Sequence, residues 1–273
     1  MRKKIYYAIV TLALAALTSC TSMSREPAED SKDVSAAKIN IQLGMQYLQM
    51  HDVERAKQKL LLALQEAPAL PEGWYSMAYF QEATGNKILA NKFYLKAVNF
   101  APKRGDTQNN YGTFLCRAGH YASAVHRFEL AVSDPNYLEM AAAYENGGLC
   151  ALKIPNQVLA AQFFTKALQQ DLNRPISLLE LAQLNYQMGQ YTAAKSHLAD
   201  FFVIAPANPQ ALLLGAQLAK KMGDRKKAQQ YLDKLHQNFP HAAENKQAIS
   251  LYNLATNVDM TRSHGWKLHS YWS

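Results

Sequence analysis

A chain of 273 residues is long enough for one or two domains. Its formal net charge of +8 comes from 29 basic and 21 acidic side chains, and the densest basic run, Lys220, Lys221, Arg225, Lys226 and Lys227 in "KKMGDRKK", reads as the solvated face of a helix. No nucleic-acid partner is therefore expected, and the absence of H-E-x-x-H, G-x-S-x-G, a phosphate-binding glycine loop or a dinucleotide fingerprint excludes the familiar catalytic classes.

The chain opens with Arg2, Lys3 and Lys4, followed by an apolar core from Ile5 to Leu17 that is too short to span a bilayer comfortably. This is the layout of a cleaved signal peptide. The junction Leu17-Thr18-Ser19-Cys20 resembles the lipobox of bacterial lipoproteins. That resemblance implies cleavage before Cys20 and lipid attachment to it; the alternative is an ordinary secretory signal that happens to contain a cysteine. Thr21 follows, and by resemblance to the sorting of enterobacterial lipoproteins the lack of aspartate there implies the outer membrane, where two or three acyl chains anchor a protein stably. With Arg2, Lys3 and Lys4 removed, 26 basic side chains remain against 21 acidic ones, a net +5. Residues 20–36 are polar and charged and read as a lipidated, flexible tether.

From Ala37 onward the sequence resembles itself at the tetratricopeptide period of 34 residues. Units run 37–70, 71–104 and 105–138 and then, after two inserted residues, 141–174, 175–208 and 209–242. The eighth position is small in each, as Gly44, Ala78, Gly112, Gly148, Ala182 and Ala216, because two helices cross closely there. The twentieth is alanine throughout, from Ala56 to Ala228, and four residues later a large side chain fills the space: Leu60, Tyr94, Phe128, Phe164, Leu198 and Leu232. Gly85, Gly119, Gly189 and Gly223 close first helices in a left-handed conformation, and Pro68, Pro102, Pro206 and Pro240 end second helices. The pattern predicts an all-α, right-handed tetratricopeptide-repeat solenoid of six helix-turn-helix units.

Units three and four lack the terminal proline, having Asn136 and Leu172, while Pro135 comes early and "NYLEM" lengthens the turn. Phe201 and Leu235 replace the small residue found at position 27 of the other units, which predicts different packing at the C-terminal end. Beyond the repeats, "AENKQAISLYNLA" predicts an amphipathic capping helix. The remainder, containing Trp266, Tyr271 and Trp272, is a loose end or a docking segment. The predicted divisions are thus 1–19, 20–36, 37–242 and 243–273.

The tetratricopeptide resemblance places positions two, five, nine, twelve and thirteen of each first helix in a concave groove. Ile41, Met45 and Leu48, then Tyr75 and Tyr79, make one end apolar and aromatic, while Asn109 and its neighbours turn the middle polar. Such grooves take a peptide, anchored by apolar side chains and positioned by amides; Asn110 either contributes to this or braces the helix pair, and the alternative for Ile41, Met45 and Leu48 is that they cover their own unit's core. "NNYGTFLC", "AGHYASAVHRFELAVSDPNY" and "ENGGLCAL" go beyond the general repeat pattern and resemble the PilF/PilW group of type IV pilus pilotins. The resemblance implies a partner, the outer-membrane secretin, which such a protein helps to localise and assemble; other pilus-assembly proteins are further candidates. A general periplasmic scaffold for envelope enzymes is the alternative. No cofactor and no metal is implied.

With Cys20 assigned to lipid, Cys116 and Cys150, 34 residues apart, remain in an oxidising compartment. They fall near the ends of neighbouring first helices, so a disulfide is expected. The other readings are two inert buried cysteines, or a metal pair assisted by His120.

Overall fold

The computed structural model describes residues 32–248. Among the described residues every regular element is helical, and twelve helices follow one another in pairs: α1 (Lys32–Gln49) with α2 (Val53–Glu66), α3 (Pro71–Ala83) with α4 (Lys87–Phe100), α5 (Gly105–Arg117) with α6 (Tyr121–Val132), α7 (Met140–Ala151) with α8 (Gln157–Gln170), α9 (Pro175–Gln187) with α10 (Tyr191–Ile204), and α11 (Pro209–Lys221) with α12 (Arg225–Asn238). Each pair coincides with one of the six repeat units, and the fold is a helical tetratricopeptide solenoid. Residues 244–248 form a further helical turn. The expected signal peptide, Cys20, the expected tether up to residue 31 and the tail with Trp266, Tyr271 and Trp272 lie outside the described residues.

The chain divides into two compact units at Pro68 and Ala69. In the first, α1 begins at Lys32, so residues 32–36 are helical rather than tether as the composition had implied. Asp33 lies in the first turn, where its charge complements the helix dipole. Buried Asn40 donates to both carboxylate oxygens of Glu66, at 2.9 and 3.1 Å, joining the middle of α1 to the end of α2.

The second unit contains α3 to α12. Each helix packs on its pair-mate, each second helix also packs on the next first helix, and consecutive first helices touch. The size rule read from the sequence has a direct physical cause. A Cβ at Gly148 would lie 2.7 Å from Phe164 Cε1, and one at Gly112 would lie 3.1 Å from Phe128 Cε1; in the first unit Gly44 faces Leu60 in the same way, at 2.7 Å. The small eighth residue is thus the socket for the large twenty-fourth of its own pair. Phe128 and Phe164 are 1% and 0% exposed, and burying each contributes roughly 1.5–3 kcal/mol.

Gly85, Gly119, Gly189 and Gly223 have φ of +87°, +86°, +76° and +81°, the left-handed conformation that glycine tolerates without steric cost. In the first unit His51 takes that conformation, with φ +60°, which costs a residue with a Cβ about 1–2 kcal/mol. The fourth repeat has Pro155 at the matching place, whose ring fixes a negative φ. Its turn closes instead through Lys153 N–H to the Cys150 carbonyl and Ile154 N–H to that of Ala151, both at 3.0 Å.

Helices α2, α4, α10 and α12 all stop two residues before a proline. Where the third repeat lacks that proline, Asp134 substitutes for it. Its carboxylate accepts from Gly105 N–H at 2.8 Å, in the first turn of α5, and from Asn136 N–H at 2.9 Å, and these bonds hold it below the usual carboxylate range. Tyr137, its phenol pushed up to about 12 by burial, packs where a side chain on Gly105 would stand. At the C-terminal end, Leu235 joins Leu212, Leu213, Ala216, Leu232 and Ala248 in one apolar cluster, so the extra bulk at position 27 is met by the segment that follows the repeats.

Candidate functional site

Within the second unit the first helices α3, α5, α7, α9 and α11 present one residue set after another, and most polar members of this set bind one another. Arg104, at the cap of α5, donates to Glu72 at 2.7 Å and to both oxygens of Asp106 at 3.1 and 2.6 Å. Tyr75 O–H reaches Asp106 at 3.5 Å, and its phenol is raised by burial and then by the charges of Asp106 and Glu72. Burial lowers the affinity of Arg104 for its proton, but its bonds to Glu72 and Asp106 more than offset this and the guanidinium stays charged. Arg117 forks onto Glu82 with two bonds of 2.7 Å. Asn146 on α7 donates to Asn109 on α5 at 3.2 Å.

A buried carboxylate continues the series. Glu145 on α7 is 6% exposed. It accepts from Arg174 at 2.7 Å, from Ser177 N–H at 3.2 Å and from Ser177 Oγ at 2.7 Å. A buried charge is tolerable when it is paired and hydrogen-bonded in this way. These bonds tie α3 to α5, α5 to α7 and α7 to α9, so they fix the relation of successive repeats.

Cys116 and Cys150, near the C-terminal ends of α5 and α7, form a disulfide with Cα atoms 5.8 Å apart. Neither sulfur is then available to a metal. His120 is exposed at the start of α6 and makes no capping bond with its side chain. Among the described residues no three His, Cys, Asp or Glu side chains converge as ligands, and no helix is long and apolar enough to cross a membrane.

The expected groove residues divide between the two compact units. Ile41, Met45 and Leu48 are half-buried on α1 of the first unit, whose pair also leaves Ile39 and Leu61 exposed, at 59% and 45%. In the second unit Tyr75, Asn109 and Asn110 are half-buried and Tyr79 is 43% exposed. Leu149 on α7 and Ile176 on α9 are also exposed. Sequence reasoning did not single these two out, although they occupy groove positions nine and two of their repeats. Once the polar side chains have satisfied one another, Tyr79, Leu149 and Ile176 are the apolar groups this face still offers.

No protein-family model matches the sequence. A curated relative, the type IV pilus assembly protein PilF of Pseudomonas aeruginosa, is 33% identical over 239 residues, which make up 87% of this chain and 95% of that protein. The chain belongs to the PilF/PilW family. It is accordingly a tetratricopeptide protein of type IV pilus biogenesis, a process in which its partners are proteins. An uncharacterized protein of Haemophilus influenzae is 34% identical over 157 residues, covering 58% of this chain and 86% of that one. The solved structure of Pseudomonas aeruginosa PilF superposes with a TM-score of 0.72 at 31% identity, over 80% of this chain and 98% of that chain. The crystal structure of PilW, described as a widely conserved type IV pilus biogenesis factor, gives 0.67 at 27% identity, over 78% and 98%. YrrB, a tetratricopeptide protein at 18% identity with a TM-score of 0.60, shares the fold.

Proposed function

We propose that the protein is a pilotin: anchored to the outer membrane through lipid on Cys20 and facing the periplasm, it binds the type IV pilus secretin and promotes the secretin's localisation and multimerisation. The observation that carries this reading is the similarity to PilF across 95% of that protein's length, joined to the Leu17-Thr18-Ser19-Cys20 junction. On the first-helix face of the second unit most polar groups are engaged with one another. The groups left for a partner are mainly apolar, and aromatic or aliphatic anchors of this kind dominate interfaces, at about 1–2 kcal/mol or more per truncated side chain. In the second unit these are Tyr79, Leu149 and Ile176, with Tyr75, Asn109 and Asn110 beside them; the apolar strip of Ile41, Met45 and Leu48 in the first unit is a second candidate contact.

The test is deletion of the gene followed by fractionation of the envelope. Secretin that stays monomeric or mislocalised without the protein, and returns to outer-membrane multimers on complementation, supports the pilotin role. Normal secretin multimers in the deletion strain, with cell-wall enzymes recovered in pull-downs, would reassign the protein as a general periplasmic scaffold.

A further inference from the structure

Three truncated side chains converge near the C-terminal end of the second unit. Tyr111 in α5 and Leu181 in α9 are buried at position seven of their repeats, where α11 carries Gly215; Leu115 and Asn185 are buried at position eleven, where α11 carries Ala219. On α10, Ala199 stands where α8 has Thr165. Between α10, α11 and α12 the missing atoms leave a cavity of about 560 Å³, within the size range of binding sites for small ligands and inserted side chains. The fourth repeat shares the small residues, as Gly147 and Ala151. There the Phe163 ring closes to 2.6 Å from the place a Cβ would take, against 3.0 Å for Tyr231 over Gly215.

The larger cavity has an apolar floor and a basic rim. Leu198, Leu218 and Ala219 lie below, Met222 and Tyr231 at the side, and Lys195 and Lys227 at the mouth. Both lysines are exposed. The one acid in the lining, Asp224, caps α12 by accepting from Lys227 N–H at 2.9 Å, and exposed Lys221 and Lys226 extend the positive charge beyond the mouth. We infer that this cavity binds an acidic peptide segment of a protein partner, which inserts one bulky apolar side chain while its flanking carboxylates meet Lys195 and Lys227. The charge argues against the chain's own residues 249–273 as occupant. Trp266, Tyr271 and Trp272 would suit the floor, but Asp259 is outnumbered by Arg262 and Lys267, the same sign as the rim. This site is separate from the first-helix face and does not depend on the secretin as partner.

The test is fluorescence anisotropy on the full-length mature chain with three labelled synthetic peptides: one tryptophan flanked by aspartates, the same peptide with lysines for aspartates, and residues 249–273. The acidic peptide alone binds, and its affinity falls as salt is raised. Lys195→Glu with Lys227→Glu weakens it by about tenfold or more, through repulsion at the mouth. Ala199→Trp, at an exposed position that fills the cavity from its rim, removes binding while circular dichroism stays unchanged. Equal binding of the acidic and lysine peptides, indifference to both variants, tighter binding of the 249–273 peptide, or no binding of the acidic peptide each overturns the inference.

Discussion

The bridge between Cys116 and Cys150 closes a loop of 34 residues that holds α6 and the proline-free turn leading into α7. Cross-linking removes conformations from the unfolded chain, and for a loop of this length the chain-entropy relation gives roughly 3.8 kcal/mol at 25 °C. The solenoid is a sum of coupled repeats, so the effect falls on the unfolding of repeats three and four. If unfolding is concerted, about 2–4 °C per kcal/mol for a chain of this size puts the melting midpoint of the reduced protein roughly 8–15 °C lower. The measurement is a pair of denaturation curves followed by far-UV circular dichroism, oxidised against reduced, with Cys116→Ala/Cys150→Ala as a form that cannot re-oxidise. That variant also loses packing, because Cys150 is 0% exposed, so the entropic part is the difference between the oxidised and reduced wild-type protein. Hydrogen exchange then localises it, with protection lost first in α5 to α7. Coincident curves for the oxidised and reduced protein would refute the loop-closure reasoning, and finding both thiols free by non-reducing mass spectrometry would remove its premise.

Cys20→Ser is expected to abolish metabolic palmitate labelling and release the protein from the outer-membrane fraction; unchanged labelling contradicts the lipid anchor. Tyr79→Glu, made at an exposed side chain, is expected to reduce secretin multimers at normal abundance of the protein, and undiminished multimers with normal twitching would exclude the α3 face. Gly148→Ala gains about 1 kcal/mol of helix propensity but overpacks Phe164 at a cost of about 1–3 kcal/mol, so a net loss is expected that Phe164→Leu in the same chain partly restores. Strict additivity in that double-mutant cycle would show that the two side chains do not compete for one space. Glu180 has its carboxyl raised by burial, partly offset by Gln210 and Lys153. The folded state therefore holds that proton more tightly, and stability is lost as pH rises above the ordinary carboxylate value. Glu180→Gln should accordingly raise the melting midpoint at pH 7, with the gain disappearing below about pH 4; an equal gain at both pH values would point to packing rather than charge.

The repeat register was legible because it records contacts inside one helix pair. Gly148 opposite Phe164 and the alanines at position twenty are consequences of two helices crossing at a fixed place, and a 34-residue period reports them without knowledge of neighbouring repeats. Glycine at the turns was legible for the same local reason, and His51 was not, since nothing in a histidine announces positive φ. Relations between repeats were harder to read. Arg104 stands before its helix rather than at a groove position, and its bonds to Glu72 and Asp106 depend on how two first helices lie against each other. Asp134 replaces a missing proline by a side-chain bond to Gly105, 29 residues away, which no turn pattern predicts. The cavity beside α11 is a pattern of absent atoms: Gly215 and Ala219 fit the repeat well enough one at a time, and only their convergence with Ala199 opens space.

Arg104, Asp106, Asn109 and Arg117 sit at or beside positions where a tetratricopeptide groove commonly meets its ligand, yet here each is held by a residue of a neighbouring repeat. A partner that recruited Arg117 would first have to break its two bonds to Glu82, and one that recruited Arg104 would strip Glu72 and Asp106 of their shared cation, leaving half-buried carboxylates unpaired at a cost comparable to what the new contact supplies. Recognition on this face therefore falls mainly to groups outside that series, foremost the apolar Tyr79, Leu149 and Ile176, while the polar series keeps the first helices in a fixed spacing that a partner can read. The cavity beside α11 differs on both counts: its lysines stand exposed at the rim and its floor is unfilled. Charge selection and apolar insertion can act together there without dismantling any contact that holds the repeats in place.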